Sequence, residues 1–212
     1  MSEHDANARY VREATVEPVA FARARAHAVE LGAAPISAEL GAHCSILAAA
    51  MDARSIVEIG TGAGVSGLWL LRGAPRAILT SMDKEPEHLA AARAAFVDAK
   101  VAPTRTRLIT GRATEVLPRM NDAAYDIVFV DADAENVIDY VGHGLRLVRP
   151  GGLVLIPRIL ANGRTADPVQ RDETTRAYRS LVHETQQSAA VLASVVPVGE
   201  GLLQLISRTP TD

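Results

Sequence analysis

A glycine-rich loop directly after a short apolar run constrains the fold of this chain more than any other feature. The run is SIVEI at 55–59, and the loop continues from it as EIGTGAGVSG at 58–67. Glycine has no Cβ, so the backbone can turn sharply and approach a ligand at the N-terminus of a following helix. The sequence therefore predicts a nucleotide-type site between a first strand and the next helix.

The loop fits two patterns. Read from Gly62 it is G-x-G-x-x-G, with Gly64 and Gly67 in the other glycine positions, which is typical of dinucleotide sites. Read from Glu58 it is E-x-G-x-G-x-G, a different loop. Both readings rest on the same backbone physics, so the loop by itself leaves the ligand open.

Short β-rich runs alternate with helical stretches along most of the chain. The helical stretches begin at Pro86, at Glu135 and near residue 170. The β-rich runs lie at 55–59, 77–82, 106–110, 125–130 and 152–157. Strands that alternate with helices form right-handed βαβ units. The alternation predicts a doubly wound α/β fold, with a mostly parallel sheet covered by helices on both faces.

Two helices are expected before the first strand. One extends from near residue 17 to 31, and the other, capped by Ser37, covers 38–51. Residues 1–15 are expected to form a flexible segment, and 16–212 a single domain.

The C-terminal part has a different pattern. Two apolar runs, at 190–198 and 201–208, flank a Gly-Glu-Gly turn. They predict an antiparallel hairpin at one edge of the sheet.

Composition and charge exclude several classes of partner. The net charge of −3 and an aromatic content of 4% argue against nucleic acid. A single cysteine, Cys44, excludes an internal disulfide and the usual cysteine zinc sites. No apolar run is as long as a membrane span, and the N-terminus has no secretory pattern. We therefore expect a cytoplasmic protein with no membrane partner.

Ligands of parallel sheets bind beyond the carboxyl ends of the strands, so the residues after each strand are informative. Asp83 follows the second run and is suited to accept hydrogen bonds from ribose hydroxyls. GRATE at 111–115 follows the third run and DAD at 131–133 the fourth. An acid on the ribose is common to NAD and adenosine-sulfonium sites, so it does not distinguish them. A dinucleotide, however, needs a second mononucleotide-binding half, and the C-terminal third offers one strand, one helix and a hairpin.

Several longer motifs cover nearly the whole chain from residue 25 onward. They are ISAELGAHCSILAAAMDARSIVEIGTGAGVSGLWL, MDKEPEHLAAAR, GRATEVLP, YDIVFVDAD, LVRPGGLVLI, GRTADP and VVPVGEGLLQL. With them the chain resembles the class I S-adenosylmethionine-dependent methyltransferases, and among these the small bacterial O-methyltransferases of the catechol and caffeoyl-CoA type. The resemblance implies a Rossmann-like, seven-stranded sheet with an antiparallel C-terminal hairpin strand and added N-terminal helices.

The resemblance also implies S-adenosylmethionine as the cofactor and assigns residues to it. Ser66 would lie close to the methionine carboxylate, Asp83 would bind the ribose, the amide of Ala113 would meet the adenine, and Asp131 would lie beside the sulfonium. The loop residues that would cradle the methionine part are Glu58, Gly60, Thr61, Gly62 and Gly64.

The chain departs from this family where the family binds a divalent cation. Members that methylate catechols hold the cation with an Asp after strand four and an Asp-Asn pair after strand five, and a nearby Lys helps deprotonate the acceptor. Asp131 is present, but Pro157 and Arg158 replace the pair and Ala134 replaces the Lys. One carboxylate beside an arginine is a poor site for a dication. We expect no catalytic metal, with Asp131 and Arg158 as the candidate catalytic residues.

Arg158 has two interpretations. In one, its guanidinium takes the place of the metal, pairs with Asp131 and binds an anionic or phenolate acceptor. In the other, it forms a structural ion pair or points to solvent. His43 and His143 are candidate bases by residue type, but each is better explained as a packing or surface histidine. Residues 157–168 would form part of a lid over the acceptor.

Two functions of different classes are compatible with these residues. The first is a metal-independent S-adenosylmethionine-dependent methyltransferase that acts on a small-molecule acceptor, at oxygen. The second is a catalytically inactive cofactor-binding protein with a regulatory or structural role, which the replacements of the metal and lysine residues would suit. An NAD-dependent oxidoreductase rests only on the G-x-G-x-x-G overlap. The resemblance also implies a homodimer.

Overall fold

Seven strands form a single sheet at the centre of this computed structural model, which describes residues 3–208. The strands are β1 Ser55–Ile59, β2 Ile78–Asp83, β3 Thr106–Thr110, β4 Tyr125–Val130, β5 Val148–Pro157, β6 Val191–Val196 and β7 Leu202–Ser207. Their order across the sheet is β3-β2-β1-β4-β5-β7-β6. Neighbours from β3 to β5 are parallel, whereas β7 is antiparallel to both β5 and β6. The predicted sheet is confirmed, including the hairpin at one edge.

Eight α-helices accompany the sheet within the described residues. They are α1 Glu3–Ala14, α2 Val19–Glu30, α3 Ala38–Ala50, α4 Val65–Gly73, α5 Pro86–Asp98, α6 Ala113–Val116, α7 Val137–Leu147 and α8 Glu173–Gln187. Ser37 caps α3 as predicted, since its side chain accepts a hydrogen bond from the amide of Leu40 at 3.4 Å. Asp172 caps α8 in the same way through the amide of Thr175 at 3.0 Å.

The two faces of the sheet have separate hydrophobic cores. Successive side chains of a strand point to opposite faces, so Ile56 and Phe129 pack with α2 to α5, whereas the adjacent Val57 and Val128 pack with α6 to α8. All four side chains are fully buried. This two-sided burial explains why the strands are continuous apolar runs rather than alternating ones.

The structure differs from the sequence predictions in the number of helices before β1 and in the boundaries of β2 and β5. Three helices precede β1 instead of two, because α1 forms where a flexible segment was expected; its described side chains are exposed or half-buried. Asp83 is the last residue of β2 rather than the first after it, and β5 begins at Val148. The division into a flexible segment 1–15 and a single domain 16–212 stays a prediction, and residues 1, 2 and 209–212 lie outside the described residues.

Candidate active site

A cavity of about 640 Å³ lies at the carboxyl ends of the parallel strands. Its walls come from the loops after β1, β2, β3 and β4, together with the connection between α2 and α3. The strand order reverses between β1 and β4, the point at which ligands of open α/β sheets bind. The volume is in the range of small-molecule and cofactor sites.

The glycine loop forms one wall of the cavity, and its backbone packs very closely against the end of β4. Gly60 has φ of +92°, and a Cβ at this position would lie 2.1 Å from the carbonyl oxygen of Asp131. The loop is also tied to β2, since the amide of Gly60 donates to the carbonyl of Met82 at 2.9 Å and the Thr61 hydroxyl lies 2.6 Å from that of Ser81. The loop is therefore held rigidly against β2 and β4.

Asp83 links β2 to the glycine loop. Its Oδ2 accepts a hydrogen bond from the amide of Gly62 at 2.9 Å, and its Oδ1 accepts one from the amide of Glu85 at 3.0 Å. The side chain is 10% exposed and lines the cavity. An ionised carboxylate held in this way can accept further hydrogen bonds from a ligand hydroxyl.

Two helix N-termini face the same cavity. Ser66 lies in the first turn of α4, and Ala113 is the first residue of α6; both line the cavity. The first amides of a helix have no partner within the helix, so they are suited to bind anionic or hydrogen-bond-accepting parts of a ligand.

The carboxyl ends of β4 and β5 are joined by an ion pair that the sequence suggested as one alternative. Arg158 Nε donates to Asp131 Oδ1 at 2.8 Å, and its Nη2 donates to Asp131 Oδ2 at 3.2 Å. Nη2 also donates to the carbonyl of Ala34, and Nη1 donates to Glu200 at 3.2 Å. Although burial lowers the pKa of Arg158, the charge and hydrogen bonds of Asp131 raise it above its ordinary value, so the guanidinium stays charged.

Comparison with known proteins now decides the family. The model of a family described as O-methyltransferase matches residues 15–209. A Mycobacterium tuberculosis protein whose name assigns it to the O-methyltransferases is 44% identical over 191 residues, which are 90% of this chain and 85% of that protein. This chain belongs to the O-methyltransferase family.

Solved structures agree with this assignment. A Corynebacterium glutamicum protein is similar with a TM-score of 0.90 and 28% identity, covering 99% of each chain. The O-methyltransferase TomG of Streptomyces achromogenes, which takes part in tomaymycin synthesis, is similar with a TM-score of 0.86 and 27% identity over 99% of this chain and 100% of TomG. That structure was determined in complex with S-adenosylmethionine. These matches confirm the resemblance, and they give no support to the inactive alternative.

The residues present in this O-methyltransferase do not fit the divalent cation that the resemblance associates with catechol methylation. Both oxygens of Asp131 are occupied by Arg158, which stands with Pro157 where the other ligands would be. Within residues 3–208, no group of three or more His, Cys, Asp or Glu side chains is arranged to hold a metal ion. A guanidinium this close to the remaining carboxylate opposes a dication by direct repulsion.

Glu58 and Gly64 lie behind the glycine loop, and the cofactor role that the resemblance implied for them stays a prediction. Glu58 is fully buried beneath the loop, where Ser81 donates to its Oε2, and neither residue lines the cavity. Gly64 precedes α4 and faces Ala92 and Phe96 of α5. Both therefore support the loop from behind, whereas Gly60, Thr61 and Gly62 form its surface.

Glu58 has an unusual environment for a carboxylate. Burial raises its pKa to about 7, and the nearby charges of Asp131 and Asp83 add to this, while the hydroxyls of Ser66 and Ser81 partly counteract it. Its Oε1 has no hydrogen-bond partner among the described residues. The neutral acid is therefore stabilised far more than it would be in water.

The residues after β4 leave no strong base beside Asp131. Asp133 accepts hydrogen bonds from the Tyr140 hydroxyl, at 2.9 Å, and from the Asn136 amide. Burial raises the pKa of Asp133, but these hydrogen bonds outweigh it and lower the pKa below the ordinary value. Ala134, which stands where the resemblance implies a lysine, begins the short 3₁₀ turn 134–136.

The two candidate histidines lie away from the cavity, as their packing and surface interpretation predicted. Nε2 of His43 lies 2.6 Å from the side-chain amide of Gln204 on β7. Nδ1 of His143 lies 3.2 Å from Arg146, one turn further along α7. Neither lines the cavity, whereas His88 does.

Sequence reasoning missed one entire wall of the cavity. Residues 33–36, between α2 and α3, line it with small and apolar side chains, and the Ala34 carbonyl accepts from Arg158. Such residues carry no chemical signal in a sequence, because their contribution is shape and a backbone oxygen. Glu200 was also missed as the second acid beside Arg158, although it lies in the predicted hairpin turn.

The end of the segment predicted as an acceptor lid is bound by one arginine of α8. Arg179 donates to the carbonyls of Thr165 at 2.8 Å, Gln170 at 2.7 Å and Arg164 at 2.9 Å. Of residues 157–168, only Arg158 lines the cavity. The lid function of this segment stays a prediction.

Proposed function

We propose that this O-methyltransferase transfers the methyl group of S-adenosylmethionine to an oxygen atom of a small molecule, and that it does so without a catalytic divalent metal ion. The family membership and the complex of TomG with S-adenosylmethionine support the cofactor and the reaction. The pairing of Arg158 with Asp131 is the observation that carries the metal-independent part.

The cavity offers a suitable donor or acceptor for each part of this cofactor. Asp83 would accept hydrogen bonds from the ribose, the amide of Ala113 would meet the adenine, and Ser66 at the start of α4 would lie near the methionine carboxylate. Asp131 lines the cavity beside the glycine loop, where its carboxylate would face the sulfonium. Gly60, Thr61 and Gly62 would form the surface under the methionine part.

Methyl transfer depends on the alignment of the acceptor oxygen with the methyl group more than on acid or base catalysis. When bound, the sulfonium supplies an activated methyl group. Attack by the acceptor oxygen would form the O–C bond as the S–C bond breaks, with the bonding electrons staying on sulfur and any hydroxyl proton leaving to solvent. The protein contributes alignment and a partly dehydrated site.

Arg158 would hold the acceptor rather than activate it strongly. Its hydrogen bonds to Asp131, Glu200 and Ala34 occupy one N–H of Nε, one of Nη1 and both of Nη2. A guanidinium has five N–H groups, so one on Nη1 remains to which the described residues offer no partner. That N–H could donate to the acceptor oxygen from the position that the resemblance assigns to the metal.

A weak base near the reaction centre favours acceptors that ionise easily. Asp133 has a lowered pKa, and Ala134 has no proton to exchange. Carboxylates and acidic phenols therefore fit this site better than simple alcohols, because they lose their proton without help.

Two further features belong to the proposal. A homodimer is expected from the resemblance, and the exposed apolar side chains of Val19, Val29 and Ile46 on α2 and α3 support a partner surface near the N-terminal helices. A cytoplasmic location stays a prediction. Within residues 3–208, no helix combines the length and apolar character needed to cross a bilayer.

Equilibrium calorimetry of the ligand-free protein tests the proposal. S-adenosylmethionine should bind equally well in chelator and in excess Mg²⁺, with NAD as a control that does not bind. Transfer of labelled methyl groups to acidic phenols and carboxylic acids should likewise continue in chelator. Marked strengthening by Mg²⁺ would contradict the metal-independent part, and binding of NAD alone would contradict the cofactor.

A further inference from the structure

One histidine lines the cavity within residues 3–208, and it contacts the carboxylate that would bind the ribose. His88 lies in the first turn of α5, and its Nδ1 lies 3.3 Å from Oδ2 of Asp83. Their side chains are 22% and 10% exposed. Limited contact with solvent makes a hydrogen bond to a charged carboxylate more effective.

The carboxylate of Asp83 is surrounded by donors from three segments. Gly62 of the glycine loop and His88 of α5 both approach Oδ2, while Glu85 of the intervening turn approaches Oδ1. The terminal torsion of an aspartate is soft, so these three contacts determine the plane of the carboxylate. An ionised carboxylate has about four lone-pair sites, which leaves acceptor capacity for a ligand hydroxyl.

The contact also indicates which ring nitrogen of His88 carries a hydrogen. Oδ2 of an ionised carboxylate only accepts, so Nδ1 of His88 carries the hydrogen in this contact. His88 differs from the two amide donors because its contact comes from a side chain. It can therefore be removed without altering the loop or turn backbone.

We propose that His88 is a positioning residue for the cofactor ribose. Its Nδ1–H holds the Asp83 carboxylate in the orientation that accepts a ribose hydroxyl. This inference rests on the proposed function, because it presupposes an S-adenosyl cofactor in the cavity. If His88 instead only stabilised the start of α5, its loss would weaken every ligand of the cavity by the same factor.

The test compares two ligands that differ only at the ribose. Calorimetry gives the Kd of S-adenosylhomocysteine and of its analogue without both ribose hydroxyls, for the wild type and for His88→Ala, His88→Gln and His88→Asn. The amide nitrogen of asparagine can replace Nδ1, whereas that of glutamine corresponds to Nε2. Glu87→Ala is the control, because Glu87 is an exposed neighbour outside the cavity lining.

The wild type should prefer the ligand with intact ribose. The Ala and Gln variants should lose about threefold to tenfold of this preference, through weaker binding of S-adenosylhomocysteine, while the Asn and Glu87 variants keep it. Equal weakening of the binding of both ligands, or an unchanged preference in the Ala and Gln variants, would overturn the role of His88 and leave the proposed function intact. A wild type that binds neither ligand would contradict the proposed function itself.

Discussion

The guanidinium of Arg158 forms two hydrogen bonds with the carboxylate of Asp131, at 2.8 and 3.2 Å, across the carboxyl ends of β4 and β5. Arg158 adopts φ of +62°, a left-handed conformation that is uncommon for a residue with a side chain. The surrounding contacts therefore compensate for local backbone strain, and they hold an internal cation beside the Asp131 carboxylate.

Removing this guanidinium should destabilise the protein more than removing an exposed one. Arg158→Ala leaves Asp131 without its cation at a site where the two side chains are 21% and 14% exposed. We expect the free energy of unfolding to fall by about 2 kcal/mol. Arg76→Ala breaks an ion pair whose side chains are far more exposed, 62% for Arg76 and 66% for Asp52. It should change the free energy of unfolding by less than about 1 kcal/mol. Urea unfolding measures both, and equal effects would contradict the importance of the buried pair.

Restoring oxygen ligands should create a metal site. In Pro157→Asp with Arg158→Asn, the repelling cation is replaced by an amide oxygen and a second carboxylate joins Asp131. Asparagine also tolerates the left-handed conformation better than arginine. Calorimetry should detect Mg²⁺ binding to the double variant and none to the wild type. Arg158→Asn alone is the control, and a double variant that ignores Mg²⁺ would show that the backbone here does not suit a cation.

Glu58 should make the stability of the ligand-free protein fall as the pH rises. Its pKa is raised to about 7 in the folded state, so the folded protein binds more protons than the unfolded chain above the ordinary glutamate pKa. The contribution of Glu58 to stability is therefore greatest below that ordinary pKa and is lost progressively, by about 3 kcal/mol, as the pH rises from there to about 7.

The matching variant is Glu58→Gln, which keeps the shape and removes the charge. Its free energy of unfolding should depend less on pH between 5 and 8 than that of the wild type, as measured by urea unfolding at several pH values. Parallel pH curves for the two proteins would mean that Glu58 is not the group responsible.

Two glycines of the same loop should respond very differently to alanine. At Gly60 a Cβ would lie 2.1 Å from the Asp131 carbonyl, so Gly60→Ala must displace the backbone and should cost several kcal/mol. At Gly62 a Cβ would have the Cβ of Ala33 as its nearest neighbour, at 3.9 Å, so Gly62→Ala should cost only the strain of its positive φ, about 1–2 kcal/mol. The melting temperatures of the two variants compare these costs. Similar decreases would show that the strain of the positive φ, rather than steric overlap of the Cβ, dominates at both positions.

Much of the fold could be predicted because its signals are local. The runs that became β1, β3 and β4 have the predicted boundaries, and the Ser37 cap was read from neighbouring residues. The helix α1 was missed because most of its residues are polar, and its described side chains are exposed or half-buried.

By itself, the sequence determined the alternation of strands and helices, the glycine loop between β1 and α4, and the absence of the family's metal and lysine residues at 134, 157 and 158. Each is a property of residue type and short spacing. Only the tertiary structure decided that Arg158 pairs with Asp131, 27 residues away, and with the Ala34 carbonyl, 124 residues away. It also placed Glu58 behind the loop rather than at the cavity wall. These outcomes depend on which strand ends become neighbours in the sheet and how closely their backbones approach, which no local pattern specifies.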